Sequence, residues 1–172
     1  MRTAAQGQRL FFALWPDAAT RAALARPQAG LGGGPTPPEK LHLTLAFLGQ
    51  RPDTDLPALT RILARLPARA MTLEIDTLGY FAGRRIAWAG MRAAPPALLE
   101  LRAALMDELA AQQFSARFEE DRFRPHLTLA RKAEPPAGAG LAAPIVWRAD
   151  HVVLAVSQGA GPYRIVAERR LA

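Results

Sequence analysis

Apolar and polar residues along this chain fall into two periods, and the switches between them mark out short strands and amphipathic helices. Residues 9–14 (Arg-Leu-Phe-Phe-Ala-Leu) form an almost continuous apolar run, which reads as a buried strand. Pro16 and Asp17 then open a helix to about residue 25, with the Asp17 carboxylate placed to suit the helix dipole. Residues 30–38 are rich in Gly and Pro and predict a loop before a second strand over 41–48. The stretch 52–55 breaks that strand. Leu56, Leu59, Ile62, Leu63 and Leu66 then recur at helical spacing. Residues 71–78 alternate, Met71, Leu73 and Ile75 against Thr72, Glu74 and Asp76, as a half-buried strand should. Another strand follows over 85–91. Pro95 and Pro96 precede a helix over 98–112, where Leu98, Leu101, Leu105 and Leu109 share a face; proline is tolerated at its start, since the first N–H groups there have no partner. Residues 123–131 predict a strand and 135–144 an exposed Pro/Gly/Ala loop. Two last strands, 145–156 and 163–169, are joined by a turn around 159–162. The order β-α-β-α-β-β-α-β-β-β predicts an α+β protein.

Two of the predicted strands carry the same four residues. His42-Leu43-Thr44-Leu45 recurs as His126-Leu127-Thr128-Leu129, 84 residues on (126 − 42), and the chain has only three histidines. Alternation sets His42 and Thr44 on one strand face with Leu43 and Leu45 on the other, and the second copy repeats this. A single His-x-Thr in a strand carries little meaning, because threonine favours strands. Two copies in matching apolar frames predict an internal duplication, each half offering one motif strand to a shared cleft. Histidine exchanges a proton near neutrality, so two imidazoles facing one phosphorus centre can divide the work. One takes a proton from the attacking oxygen and the other gives one to the departing oxygen. Threonine hydroxyls and nearby arginines can hold the phosphate oxygens, with no metal and no covalent nucleophile required.

Composition narrows the chemistry. There are no cysteines, which excludes disulfides, thiolate metal sites and cysteine nucleophiles. Net charge is +7, and the only lysines are Lys40 and Lys132, so almost all the positive charge is arginine. Guanidinium forks suit phosphate, although GC-rich codon usage yields the same composition. The balance supports an anionic partner without establishing nucleic acid. No secretory pattern and no apolar run of bilayer-spanning length is present, which predicts a cytoplasmic protein without membrane association.

The whole pattern resembles the two-histidine phosphoesterase superfamily, and within it the RNA 2′,3′-cyclic phosphodiesterases, long called 2′-5′ RNA ligases. The resemblance rests on the paired motifs, the opening strand Arg9-Leu10-Phe11-Phe12-Ala13-Leu14, the first motif running into Phe47-Leu48-Gly49, and the second framed by Arg124-Pro125 and Ala130-Arg131. It implies a bilobal fold: one domain over 1–172 with two pseudo-symmetric lobes of antiparallel sheet, helices outside and a central cleft. It also implies a monomer that acts without cofactor or metal on RNA ends or cyclic nucleotides, hydrolysing 2′,3′-cyclic phosphates to 2′-phosphates. Under it His42 is the proton donor, His126 the proton acceptor, and Thr44 and Thr128 bind phosphate.

Arg131 matches a basic residue common in that group, although simple alternation sets it opposite His126 unless the strand ends or bulges. Arg124 lies two residues before His126, and Arg122 is a weaker candidate. Phe12 is the expected base-stacking aromatic, with Trp15, Tyr80 and Phe81 as alternates. His151 has Val153, not threonine, two residues on and reads as structural. The same acid–base pair also fits 2′-5′ ligation or cleavage of 2′-5′ oligonucleotides. A non-catalytic RNA-binding module and a metal site of His42, His126 and His151 are further alternatives.

Overall fold

The computed structural model describes residues 7–114 and 123–172. In chain order its elements are β1 (Gly7–Leu14), α1 (Ala18–Ala29), β2 (Gly34–Pro35), β3 (Leu43–Pro52), α2 (Leu56–Arg65), β4 (Met71–Phe81), β5 (Ile86–Gly90), α3 (Pro96–Ala111), β6 (His126–Arg131), β7 (Gly140–Ala149), β8 (His151–Ser157) and β9 (Arg164–Arg170). Short 3-10 turns cover Pro38–Lys40, Asp53–Asp55 and Ala82–Arg84. The fold is α+β, as the periodicity predicts.

Four departures have physical causes. The apolar run 145–156 is two strands, divided at Asp150: β7 pairs with β4 and β8 with β1, so the chain changes sheet neighbours there. The predicted loop 135–144 ends early because β7 already begins at Gly140. Within the Gly/Pro stretch, Gly34 and Pro35 pair with Arg131 and Ala130 of β6. Gly33 is required beside them, since it sits at φ +82° and a Cβ there would fall 2.4 Å from the Arg131 carbonyl oxygen. Helix α1 also runs past its expected end, through Pro27, anchored by Gln28 Nε2, which donates to the carbonyls of Thr36 (2.9 Å) and Leu129 (3.0 Å).

All pairings are antiparallel, in the order β7-β4-β5-β6-β3-β1-β8-β9 with β2 beside β6. The motif strands β3 and β6 are therefore the two central strands, and each heads a four-stranded half. They meet at one pair, Leu43 opposite Leu127. Both leucines are fully buried, each contributing roughly 2 kcal/mol of burial, so the residues between the polar motif positions hold the halves together.

The main core lies on one face of this sheet. Leu10, Phe12 and Leu14 of β1, Leu43 and Leu45 of β3 and Leu127 and Leu129 of β6 join Leu24 of α1, Leu59, Ile62 and Leu63 of α2 and all four predicted leucines of α3. The opposite face of β1 and β8 carries a smaller cluster, Phe11, Ala13, Val153 and Ala155, packed with Trp15, Phe47 and Tyr163. The histidine motifs open onto that second face.

Candidate active site

Carrying the Leu43–Leu127 register one residue each way sets His42 alongside Thr128 and Thr44 alongside His126, all four on the face opposite the leucines. Diagonal neighbours across an antiparallel pair lie roughly 7–8 Å apart, room for a phosphate between two ring nitrogens. The two imidazoles are also held alike. Nδ1 of His42 lies 2.7 Å from the Lys40 carbonyl, and Nδ1 of His126 lies 2.7 Å from the Arg124 carbonyl. A carbonyl only accepts, so Nδ1 carries the hydrogen in both rings. Nε2 of each neutral ring is left as a free acceptor.

A β-bulge settles where Arg131 points. Across β5 and β6, Trp88 faces Thr128 and Ala87 faces Ala130, leaving Leu129 as an extra residue. The alternation therefore slips by one, Ala130 falls on the buried side with Ala87, and Arg131 turns to the histidine face. Its charge bears on both His42 and Tyr163. The first motif has the same bulge at the same place: Ala13 faces Thr44, Phe12 faces Ala46, and Leu45 is extra. There the slip delivers Phe47 to the histidine face, opposite Phe11. Bulges commonly re-aim side chains beside active sites.

The surroundings of the two rings differ. His42 lies 4.9 Å from the ring of Phe11, 5.3 Å from Tyr163 and 5.9 Å from Trp15, which is nearly parallel to it at 23°. His126 meets Phe81 edge-on at 5.1 Å and Trp88 at 6.0 Å. Trp88 reaches this position only because residue 79 is glycine; a Cβ there would fall 2.0 Å from the indole. Burial pushes the His42 imidazole down to about 4; the Lys40 carbonyl opposes this, and the positive charges of His126, Arg21 and Arg131 reinforce it. His126 is also pushed below its ordinary value, first by burial, with the Arg124 carbonyl opposing and Arg84 reinforcing. Burial raises the Tyr163 phenol, against Arg131.

Not every expected residue lies here. Phe12 does not: it is 0% exposed in the main core, on the far side of β1, and no base can stack on it. Phe11, one residue earlier, takes the place beside His42. Tyr80 instead donates its hydroxyl to the Ala133 carbonyl at 2.7 Å, while the alternates Trp15 and Phe81 each adjoin a histidine. Arg124 enters through its carbonyl, with its side chain exposed, and Arg122 lies outside the described residues. His151 is buried, with Nε2 2.7 Å from Glu168 Oε2. Among the described residues no three His, Cys, Asp or Glu side chains gather to hold a metal ion, so the three-histidine metal site is not formed. Phe11, Tyr163, Trp88, Arg21 and Arg84 are not marked out by the sequence pattern. Phe11, Trp88 and Tyr163 reach the histidine face through strand phase or pairing between distant segments, while Arg21 acts from α1 and Arg84 from the 82–84 turn.

Two imidazoles with lowered pKa, two hydroxyls and an arginine share one sheet face, a candidate acid–base site whose chemistry suits a phosphate ester. Comparison with known proteins gives the class a family. Residues 14–161 match the family model described as the 2′-5′ RNA ligase superfamily, and the chain belongs to that family. It is 35% identical over 144 residues to the RNA 2′,3′-cyclic phosphodiesterase of Escherichia coli K12, covering 76% of this chain and 78% of that one. To the protein of the same name in Thermus thermophilus it is 37% identical over 139 residues, 74% and 70% of the two chains. The crystal structure of E. coli LigT complexed with 3′-AMP superposes with a TM-score of 0.82 at 28% identity, over 96% of this chain and 99% of that one. Among the described residues no helix is long and apolar enough to cross a membrane.

Proposed function

We propose that this chain hydrolyses the terminal 2′,3′-cyclic phosphodiester of RNA to a 2′-phosphomonoester, without a metal ion, between the two sheet halves acting as lobes of one cleft. His126 accepts a proton on Nε2 from the attacking water, and His42 donates one from Nε2 to the departing 3′ oxygen. One P–O bond forms and one breaks, and proton exchange with solvent then resets both rings. Thr44, Thr128 and Arg131 hold the non-bridging oxygens as charge builds up on them, with Arg124 at the rim. Trp15 and Tyr163, backed by the buried Phe11, replace Phe12 as the wall for the terminal nucleoside, where stacking is worth about 1–3 kcal/mol per base.

The observation that carries this reading is the matched pair of imidazoles: both have Nδ1 committed to a carbonyl two residues back, and both share the face flanking Leu43 and Leu127. The names of the E. coli and Thermus relatives support RNA as substrate. The free protein holds both rings neutral at pH 7, so His42 takes up its donor proton from solvent as the anionic substrate binds and its charge raises the His42 pKa.

The test uses an oligonucleotide ending in a 2′,3′-cyclic phosphate, in excess EDTA. The expected product is a 2′-phosphate end at an undiminished rate. No turnover, a 3′-phosphate product or loss of activity with chelator would each overturn the reading. Joined RNA halves formed as fast as the hydrolysis product would move the assignment to 2′-5′ ligation.

A further inference from the structure

Arg21, in the first turn of α1, is tied to the segment that holds His42. Its Nε donates to the Pro16 carbonyl at 3.0 Å and its Nη1 donates to the Pro38 carbonyl. The guanidinium lies over Trp15, with Cζ 5.1 Å from the ring centroid. Nη2 is buried with no hydrogen-bond partner. An unmatched buried donor costs roughly 1–3 kcal/mol, so a methionine of similar length would serve mere packing better.

The Pro38 carbonyl also accepts from Leu41 N at 3.2 Å, closing the turn Pro38–Lys40. Inside that turn the Lys40 carbonyl receives the Nδ1–H of His42. Trp15, under the guanidinium, is the ring that stacks on His42. Arg21 thus holds the turn whose Lys40 carbonyl sets the tautomer of one imidazole, and lies over the indole that stacks on that ring. His126 rests on other supports, the Arg124 carbonyl, Phe81 and Trp88.

We propose that Arg21 is a positioning residue for His42: it locks the 38–40 turn and Trp15 so that the ring stays in the Nδ1–H form with Nε2 toward the substrate. This deepens the proposed reaction, and its significance rests on that reading, but its test does not. The charged and titratable groups around His42 are Arg21 on α1, the adjoining Lys40, His126 and Arg131 on β6, and Tyr163 before β9.

The experiment is nitrogen NMR of the histidine rings in the full chain, comparing wild type with Arg21→Lys and Arg21→Met. Arg21→Lys keeps the charge and loses the fork. In it His42 is expected to move to a mixture of tautomers while His126 stays in the Nδ1–H form. Arg21→Met should in addition raise the His42 titration midpoint toward the ordinary histidine value. In both, kcat on the cyclic-phosphate oligonucleotide should fall about 10- to 100-fold with KM nearly unchanged. Wild-type tautomer and midpoint for His42 in the folded variants, or equal disturbance of His126, would overturn the inference. If Arg21→Met does not fold, the Arg21→Lys tautomer decides. An inactive wild type would sink the proposed reaction and leave these ring signals to be read on their own.

Discussion

The two halves of the sheet present the same motif in unequal settings. Each has a histidine whose Nδ1 lies 2.7 Å from the carbonyl two residues back, a threonine two residues on, and a bulge at the following leucine. After the bulge the copies diverge, because one delivers Phe47 and the other Arg131 to the same relative position. His42 lies among three aromatic rings with Arg21 behind them; His126 has two rings and the exposed Arg84. What is repeated is the geometry that fixes tautomer and direction. What differs is burial and charge, the quantities that set protonation. Duplicated rings with different environments can thus take different halves of an acid–base reaction.

The largest expected effect comes from removing either ring. His42→Ala and His126→Ala should each cost about 10²–10⁴ in kcat, and the double variant should lose little more, because the pair acts as a unit. An aryl phosphodiester, whose leaving oxygen needs no proton, separates the roles of the two rings. There the His42→Ala penalty should shrink while that of His126→Ala persists; the reverse result would exchange the donor and acceptor roles.

Next comes the divergent position after the bulge. Arg131→Ala should lower kcat/KM about 10²-fold, the scale of losing one donor to a charged transition state. Phe47→Ala, its counterpart in the other half, should cost under about tenfold, since an aromatic ring there offers no donor to that charge. Equal effects would mean that the slip in phase brings no guanidinium to phosphate.

The pH dependence follows from the direction of both shifts. Both rings lie below the ordinary histidine value in the free protein, and the reactive form has one protonated and one neutral. Such a form is most populated between the two transitions, so kcat/KM should peak on the acid side of neutrality and fall as pH rises. A plateau extending above about pH 8 would contradict the neutral pair.

The smallest effect is on stability. His42 is neutral when folded down to about pH 4 but takes a proton near its ordinary value when unfolded, so stability falls as pH drops through that window. After a discount for solvent at this half-buried ring, His42→Gln should remove a loss on the order of 1–2 kcal/mol between the ordinary histidine value and about pH 4. His126→Gln should remove less. Denaturant melts at both ends of that window measure it.

The paired motif is plain in the sequence because an imidazole and a hydroxyl at spacing two, repeated in one apolar frame, has no other simple cause. The helices are plain too, with Leu98, Leu101, Leu105 and Leu109 all buried as their spacing predicts. Strand phase is not. Residues 9–14 are apolar on both faces of β1, so alternation cannot say which phenylalanine faces the core; the family resemblance implies Phe12, whereas the structure turns Phe11 to the histidine face. The bulges at Leu45 and Leu129 lie inside apolar runs and leave no mark there, which hides the turning of Arg131. Asp150 is the one polar interruption between β7 and β8, too slight a signal for a change of sheet neighbour. Tyr163 comes to His42 through the pairing of β8 with β1 and β9, and Arg21 through the contacts of α1 with Pro38 and Trp15; no local pattern encodes either.

In the proposed reaction both rings meet one phosphate at once. Titrating inorganic phosphate into the protein while following Nε2 of His42 and His126 by NMR tests it directly. Both signals should shift together along a single binding curve, and both titration midpoints should rise. A response from one ring alone, or two curves with separate affinities, would contradict the account.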